Sequence, residues 1–465
     1  MMDRGEVAFT RMEKVIFGDD AAEAAKAEAQ RLSAENVFLL VSGTLNRETD
    51  EVEKLRQALG NTYCGTHDDM PAHSPREAVV ACANAMREAK ADLLISLGGG
   101  STTDGGKAVT ICLKHGIDTV DGMEPFRTVV DENGQRHFPE YDAPEVRQIV
   151  IPTTLSGGEF NARAGITNST LRLKQSFMHP AIIPVSVILD PRVTVPTPEW
   201  LFLSTGIRAV DHAIETYLSI DANAYTDGAC LQALRLLGEG LPRVKADPSD
   251  LDARLKCLMG AWMSMTGVIT GSRLGASHAI GHILGGSAGV PHGHTSCIML
   301  PYVLKWNESV NGERQKEVAI AMGRAGVPAS DVLDHFIRGL DMPRTIRETG
   351  VEEGHARMVL CVVDKDYDTS SHGGGSLHVQ LCGVRPVTFF DGPFVTDAEA
   401  TKMVLDHELE QFRARAYGAA NGQPNGQLLT GPEYLEHAFA RDFVRKPDGT
   451  IGPRESPIDP DTCLL

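Results

Sequence analysis

Apolar positions in the first half of the chain come in short, nearly continuous runs separated by stretches with helical spacing. "MEKVIFG" (12–18) predicts a strand, the alanine-rich segment 19–33 a helix, "NVFLLVSG" (36–43) a second strand and 48–59 a second helix. After a loop containing "THDDMPAH", residues 75–89 predict an amphipathic helix, and "ADLLISLGGG" (91–100) a buried strand that runs into glycines. Apolar strands alternating in order with helices imply a parallel sheet covered on both faces. Residues 126–146 carry Asn133-Gly134 between short extended runs, which predicts a surface hairpin before the strand "RQIVIPTT".

Beyond "VILDPRVTVPTPEW" (187–200) the pattern turns helical, with long helices expected in "GIRAVDHAIETYLS", "LDARLKCLMGAWMSMTGVITGSRLGASHAIGHILGG" and "TSCIMLPYVLKWN". The prolines near residue 195 mark the expected boundary between an α/β domain (1–195) and an all-helical domain (196–410). Residues 411–465, rich in Gly, Pro and Asn, form a C-terminal extension, expected as an extended arm with one short helix around "GPEYLEHAFARDFV". No internal repeat is present, and "SSHGGGS" (370–376) predicts a flexible loop.

Composition changes this picture mainly by exclusion. A chain of 465 residues exceeds what one core supports. No apolar run approaches the roughly 18 residues of a membrane span, and the start lacks the pattern of a secretory signal. Nine cysteines are scattered without a C-x-x-C pair, so reduced thiols in a cytoplasmic protein are expected rather than a disulfide framework or a thiolate zinc site. Cys463 stands one position too late for a prenylation box. A formal charge of −18 without a basic patch argues against nucleic acid as a partner and leaves a small molecule.

Two stretches carry candidate chemistry in the first half. "LLISLGGGSTTDGGKAV" is a strand, then Gly98, Gly99, Gly100 and Ser101, then a helix expected to open at Thr102 or Thr103. Such a turn lets the backbone approach a pyrophosphate and aims helix N–H groups at it, although it also serves as a plain strand-to-helix turn. Neither G-x-G-x-x-G nor G-x-x-x-x-G-K-[ST] is present. Asp104 and Lys107 follow at helical spacing, either at the ligand mouth or as a solvated pair. "IPTTLSGGE" (151–159) is a second strand ending in hydroxyls and glycines, and two such ends converge at the carboxyl edge of a parallel sheet.

In the second half, "SHAIGHILGGSAGVPHGH" (277–294) holds four of the sixteen histidines. His278 and His282 share one helix face. His292 follows a forced turn, and His212 lies on another helix. Three imidazoles gathered this way suit iron or zinc, or are ordinary core residues; His294 is assigned to the ordinary class.

"GGGSTTDGGKAV", "IPTTLSGGE", "HAIETYLS" and "SHAIGHILGGSAGVPHG…LPYVLKWN" together resemble the iron-containing alcohol dehydrogenase family over roughly residues 12 to 310, and within it the maleylacetate reductase branch. The resemblance implies an α/β NAD(P)-binding domain, an all-α catalytic domain and a cleft between them. It implies Gly98, Gly99, Gly100 and Ser101 as the pyrophosphate loop, Asp104 near the nicotinamide side, and Thr153, Thr154 and Ser156 along the dinucleotide. The family's metal is held by an Asp-x-x-x-His pair and the outer histidines of His-x-x-x-His-x9-His, positions that read Arg208, His212, His278 and His292 here, with His282 at the middle one beside the nicotinamide.

Arg208 thus stands where the family has an aspartate ligand. A guanidinium stays protonated and cannot ligate, so the expectation is a metal-independent reductase of a small oxo-carboxylate, in which Arg208, His212, His278 and His292 supply the positive field and His282 relays a proton. Asp211 is expected to pair with Arg208. Gly43 stands where the family places an acidic residue against the ribose 2′-hydroxyl, which permits NADPH beside NADH. The alternatives are an Fe/Zn-dependent alcohol dehydrogenase using His212, His278 and His292, and a lyase or cyclase that kept the fold without hydride chemistry. A homodimer is the expected assembly.

Overall fold

The computed structural model describes residues 7, 9–130, 136–171, 173–288, 290–350, 443–445 and 451–453. The first part alternates strand and helix: β1 (Lys14–Phe17), α1 (Ala21–Arg31), β2 (Val37–Val41), α2 (Gly43–Glu48), α3 (Glu51–Leu59), β3 (Tyr63–His67), α4 (Arg76–Glu88), β4 (Leu93–Gly98) and α5 (Gly100–Lys114). The short pair β5 (Val129–Val130) and β6 (Arg136–His137) follows, then β7 (Arg147–Pro152), a hairpin of β8 (Arg163–Asn168) and β9 (Leu173–Met178), and β10 (Ser186–Leu189). Six strands make one sheet in the order β1-β10-β7-β4-β2-β3, and every pairing in it is parallel.

The apolar runs of β2 and β4 divide by alternation. Val37, Leu39, Val41, Leu93, Ile95 and Leu97 pack toward α1 and α3, whereas Phe38, Leu40 and Leu94 pack toward α4 and α5. A strand buried on both faces needs apolar residues at both parities, which is why no alternation shows in the sequence. Ser96 is the polar exception, and it accepts from Gln148 Nε2 at 2.8 Å.

From Glu199 the chain is helical: α6 (Glu199–Leu218), α7 (Ala224–Ala246), α8 (Leu251–Ser264), α9 (Thr266–Ile269), α10 (Ala276–Ala288), α11 (His292–Ala321) and α12 (Ala329–Gly339). Helix α6 is buried almost throughout, and Phe202, Ile207, Val210 and Ile214 anchor the core that α7, α8, α11 and α12 complete. Asn223 opens α7 with a capping box, and Asp250 caps α8 through the Ala253 N–H at 2.9 Å. The fold is an α/β dinucleotide-binding type of sheet followed by an all-α part.

Several elements depart from expectation. The helix expected over 48–59 begins at Glu51, and an unread helix, α2, precedes it and ends at Glu48, because Thr49 is extended and its hydroxyl bonds back to the Leu45 carbonyl at 2.7 Å. Helix α5 opens at Gly100 rather than at Thr102 or Thr103, since the Thr103 N–H already bonds the Gly99 carbonyl at 3.1 Å. The long helix expected over 251–286 is broken after α9, where Gly271 takes φ +89°, and resumes as α10. Strand β3 and the hairpin β8–β9 went unread. The six described cysteines are free thiols.

A second unit starts at Thr345. Its described parts are a 3-10 turn at Arg347–Thr349 and an antiparallel pair of Phe443–Arg445 with Ile451–Pro453. Phe443 and Val444 are therefore strand, not the end of a helix, because their backbone pairs with Pro453 and Gly452 of the partner strand. The loop expected at 370–376, the remainder of the helix expected around 431–444 and the Asn133-Gly134 turn lie outside the described residues. Among the described residues no helix is long and apolar enough to cross a membrane.

Candidate active site

Strand order reverses between β2 and β4, and ligands of open parallel sheets bind at the carboxyl ends beside such a reversal. Gly98, Gly99 and Gly100 carry β4 directly into α5 there. A Cβ on Gly99 would stand 3.1 Å from the Thr154 methyl, and one on Gly100 would stand 3.2 Å from the Ser156 hydroxyl, so glycine at both positions leaves room for the loop after β7 to come this close. The Thr153 N–H donates to the Gly98 carbonyl at 3.0 Å, and the Thr154 and Ser156 hydroxyls lie 3.3 Å apart. The two predicted strand ends are brought together with hydroxyls and helix N–H groups lining one mouth, a cradle that suits a pyrophosphate.

Ser101 is tied to the end of the "THDDMPAH" loop, a role for that loop that the sequence did not show. His73 and Ser74 both adopt positive φ, at 67° and 48°; the His73 N–H donates to Ser101 Oγ at 3.0 Å, and Ser74 Oγ donates to the Ser101 carbonyl at 2.8 Å. Two strained non-glycine residues side by side persist only where surroundings over-determine them, and here they clamp the first turn of α5. Gly43 begins α2 just past β2, where a Cβ would stand 2.7 Å from the Asp68 carbonyl and 2.8 Å from the Arg47 guanidinium.

Asp104 and Lys107 are not a solvated pair. Lys107 is wholly buried and donates to the carbonyls of Gly158 at 2.5 Å and Arg163 at 2.7 Å, to Asp104 at 3.1 Å and to Asn161 at 3.4 Å. The other Asp104 oxygen accepts the Gly165 N–H at 3.1 Å. Together they hold the segment 157–165 against α5. Burial pushes the nearby Glu159 carboxyl up from 4.5 to about 7, against the pull of the Lys107 ammonium. The folded protein thus holds a proton that the unfolded chain has released. That stabilisation is complete below pH 4.5 and is lost as pH rises through 7, by about 3 kcal/mol at roughly 1.4 kcal/mol per unit. Glu159→Gln should flatten the slope of stability between these limits in urea unfolding; an unchanged slope would show the carboxyl ionised throughout.

Helices α6, α10 and α11 bring the histidines together. The His212 and His278 rings lie 4.6 Å apart, those of His282 and His292 5.3 Å apart and edge to face. His292 folds back over α10, where a Cβ on Gly285 would stand 3.1 Å from its Nδ1. His294 lies instead beside Trp200, 5.7 Å between ring centroids. Burial and then the positive charges of Arg208 and of neighbouring groups hold His212, His282 and His292 well below the ordinary imidazole range. Lys174, on β9, adds to that field at His282 and His292.

Arg208 is buried, and its guanidinium donates to Ser296 Oγ at 3.0 Å and lies 3.8 Å from Asp211. Asp211 Oδ2 also accepts the hydroxyls of Ser277 at 2.9 Å and Ser296 at 2.6 Å. The expected pairing of Arg208 with Asp211 is therefore bridged by Ser296. His278 Nδ1 lies 2.6 Å from Glu215 and 3.3 Å from Asp211. Burial and Arg208 oppose its protonation, yet the two carboxylates outweigh them and raise it. Asp211, Glu215 and His278 offer ligand atoms within 4.8 Å of one another. Glu215 is already engaged there with three backbone N–H groups besides His278. Glu215, Ser277 and Ser296 were not singled out in the sequence, although "HAIETYLS" contains the first of them.

Two family models match the chain: iron-containing alcohol dehydrogenase over residues 12–191, and the C-terminal part of the Fe-containing alcohol dehydrogenase family over 202–368. Dehydrogenase ALT3 of Alternaria alternata is 32% identical, with 71% of this chain and 93% of that protein covered. Maleylacetate reductase of Rhizobium sp. strain MTP-10005 is 31% identical, covering 73% of this chain and 85% of the relative. The crystal structure of the maleylacetate reductase from that strain superposes with a TM-score of 0.64 at 27% identity, covering 76% of this chain and 89% of that one. A putative alcohol dehydrogenase from Ralstonia eutropha JMP134 gives 0.65 at 28% identity, covering 77% and 91%. With both halves of the chain matched and the glycine cradle and histidine cluster in place, the chain belongs to the iron-containing alcohol dehydrogenase family, on its maleylacetate reductase branch, and is an NAD(P)-dependent oxidoreductase.

Proposed function

We propose that the protein transfers a hydride from reduced nicotinamide to a small oxo-carboxylate or related substrate, at its carbonyl or at a carbon–carbon double bond conjugated to that carbonyl, as maleylacetate offers, without a metal ion. The observation that carries this reading is the buried Arg208 guanidinium, hydrogen-bonded in place at the position of the family's aspartate ligand. A guanidinium has no lone pair to offer a metal, and its charge is felt at all four imidazoles of the cluster. A divalent ion held among them would be repelled in a desolvated site. The residues present do not fit the family's iron, and no step is assigned to one.

The cofactor is a different matter, because the cradle of Gly98, Gly99, Gly100, Ser101, Thr153, Thr154 and Ser156 fits a dinucleotide. When bound, reduced nicotinamide supplies the hydride. Arg208 clamps a substrate carboxylate or the oxygen that gains charge, with His212, His278 and His292 around it, and His282 passes a proton to the nascent alkoxide or enolate. Asp104 sets the nicotinamide side of the cleft through its hold on the hairpin β8–β9. At Gly43 the absent carboxylate and the adjoining Arg47 support acceptance of NADPH. On this reading residues 1–195 bind the cofactor, 196–410 carry catalysis and 411–465 are an extension; the free thiols of the six described cysteines support a cytoplasmic setting. The edge strand β1 leaves Phe17 half exposed, which supports burial against a second copy in a homodimer.

Oxidation of NADH and NADPH with maleylacetate, run beside iron and zinc analysis of the purified protein, tests this. Turnover with less than about a tenth of an equivalent of metal is expected. Stoichiometric metal with turnover of simple aldehydes would replace this reading by a metal-dependent alcohol dehydrogenase. A bound cofactor that is never oxidised would favour a lyase or cyclase.

A further inference from the structure

We propose that Glu215 is a positioning residue: it fixes His278 so that a single nitrogen of that imidazole faces the cleft. The proposal rests on the reading above only in giving His278 a part in the reaction. Glu215 lies on α6, three residues past His212, and its buried carboxylate crosses to the first turn of α10. There Glu215 Oε2 accepts the N–H groups of Gly275 at 3.0 Å and His278 at 3.2 Å, Oε1 accepts that of Ser277 at 2.7 Å, and His278 Nδ1 meets Oε2 at 2.6 Å.

A helix start ordinarily finds its cap in a local Ser, Thr, Asp or Asn. Here residue 275 is glycine, and a Cβ on it would stand 2.8 Å from Glu215 Oε1. The chain thus clears the local position for a carboxylate delivered from another helix. That carboxylate satisfies the orphan N–H groups and the imidazole at once.

The consequence for His278 follows from donor and acceptor bookkeeping. Both groups beside Nδ1, Glu215 and Asp211, are carboxylates that can only accept, so Nδ1 carries the hydrogen. Nε2 is buried without a hydrogen-bond partner among the described residues, and the His212 ring lies alongside. Nε2 is therefore the atom presented to a bound molecule. Its direction is set by where Glu215 holds the opposite edge of the ring. Carboxylates that hold the far nitrogen of a metal-binding histidine alter activity by about 10- to 100-fold when removed, and the same orienting role is assigned to Glu215 here without a metal.

Two measurements test the assignment, and only one needs a substrate. In protein with 15N-labelled histidine, His278 Nδ1–H should give a far-downfield proton resonance, assigned by its loss in His278→Asn. It should vanish or move strongly in Glu215→Ala and move less in Glu215→Gln, whose amide oxygen can stay opposite Nδ1. A resonance unchanged in Glu215→Ala but lost in Asp211→Asn would assign the ring to Asp211 and overturn the proposal.

The second measurement is a double-mutant cycle on kcat with maleylacetate and NADH. Glu215→Ala should lower kcat at least tenfold in the wild-type background, leave KM for NADH within about twofold, and lower kcat no further in His278→Ala. Gly275→Ala, which crowds Oε1, should lower kcat in the same direction by a smaller factor and serves if Glu215→Ala does not fold. Equal losses in both backgrounds would show a helix cap that acts without His278, and would sink the proposal. Absence of turnover in the wild type would count against the reductase reading alone, leaving the resonance to decide on Glu215.

Discussion

Replacing Arg208 by alanine is expected to lower kcat by hundreds-fold with an oxo-carboxylate substrate while the protein stays folded. The guanidinium is buried, and its place is fixed by Ser296 Oγ at 3.0 Å and by Asp211 at 3.8 Å, so it is organised before any substrate arrives. Removing one such preorganised donor typically costs about 2.7 to 4 kcal/mol of transition-state stabilisation. The hydroxyls of Ser277 and Ser296 remain on Asp211 in the variant, which limits the damage to folding. Arg208→Lys keeps the charge but not the planar fork, and should recover only part of the rate. Steady-state kinetics beside circular dichroism decides: near-normal turnover in folded Arg208→Ala would remove the clamp. In the same series, Arg208→Asp restores the family's ligand type and should raise bound iron or zinc toward one ion per chain. Continued absence of metal would show that the rest of the site also resists it.

Lys107→Ala should destabilise the protein by about 3–5 kcal/mol, the usual cost of breaking a buried ionic group by removing one partner. The Lys107 ammonium is wholly buried among Asp104, Asn161 and the carbonyls of Gly158 and Arg163. Truncation leaves those oxygens facing a cavity. The segment they belong to includes Gly157, at φ +74° beside Met265, and the start of the hairpin β8–β9, so the loss should also weaken binding of NADH. Urea unfolding gives the first quantity and fluorescence titration with NADH the second. A stability change under about 1 kcal/mol would mean that water replaces the ammonium, and that the lysine is dispensable to the fold.

The two predictions differ in how much of their basis can be read along the chain. Arg208 is visible in "GIRAVDHAIETYLS" as a cation four residues before His212, and once the family resemblance marks that position as a ligand's, its clash with a metal follows from residue type. Lys107 is visible too, but as an i,i+3 neighbour of Asp104 that could equally be solvated. Its burial depends on Gly158, Asn161 and Arg163, some fifty residues away. Glu215 is the extreme case. Nothing local in "HAIETYLS" separates it from a surface glutamate, because its four donors come from Gly275, Ser277 and His278 on a helix sixty residues later.

Elements divide in the same way. Strands β2 and β4 and helices α1, α4 and α6 follow from apolar period and length, because burial on one or both faces is a local demand on residue type. The break after α9 does not, since Gly271 turns the chain and Glu215 then receives the first N–H groups of α10. The sequence by itself determined the parallel α/β sheet, the glycine cradle and the histidine-bearing helices, which are properties of residue type at short spacing, and its resemblance to the family implied that a cation stands where a ligand would. Only the tertiary structure decided that Lys107 is buried, that Ser296 bridges Arg208 and Asp211, and that Glu215 reaches His278. Each of these is a contact between distant segments whose energy comes from shared desolvation, and no single segment carries that information.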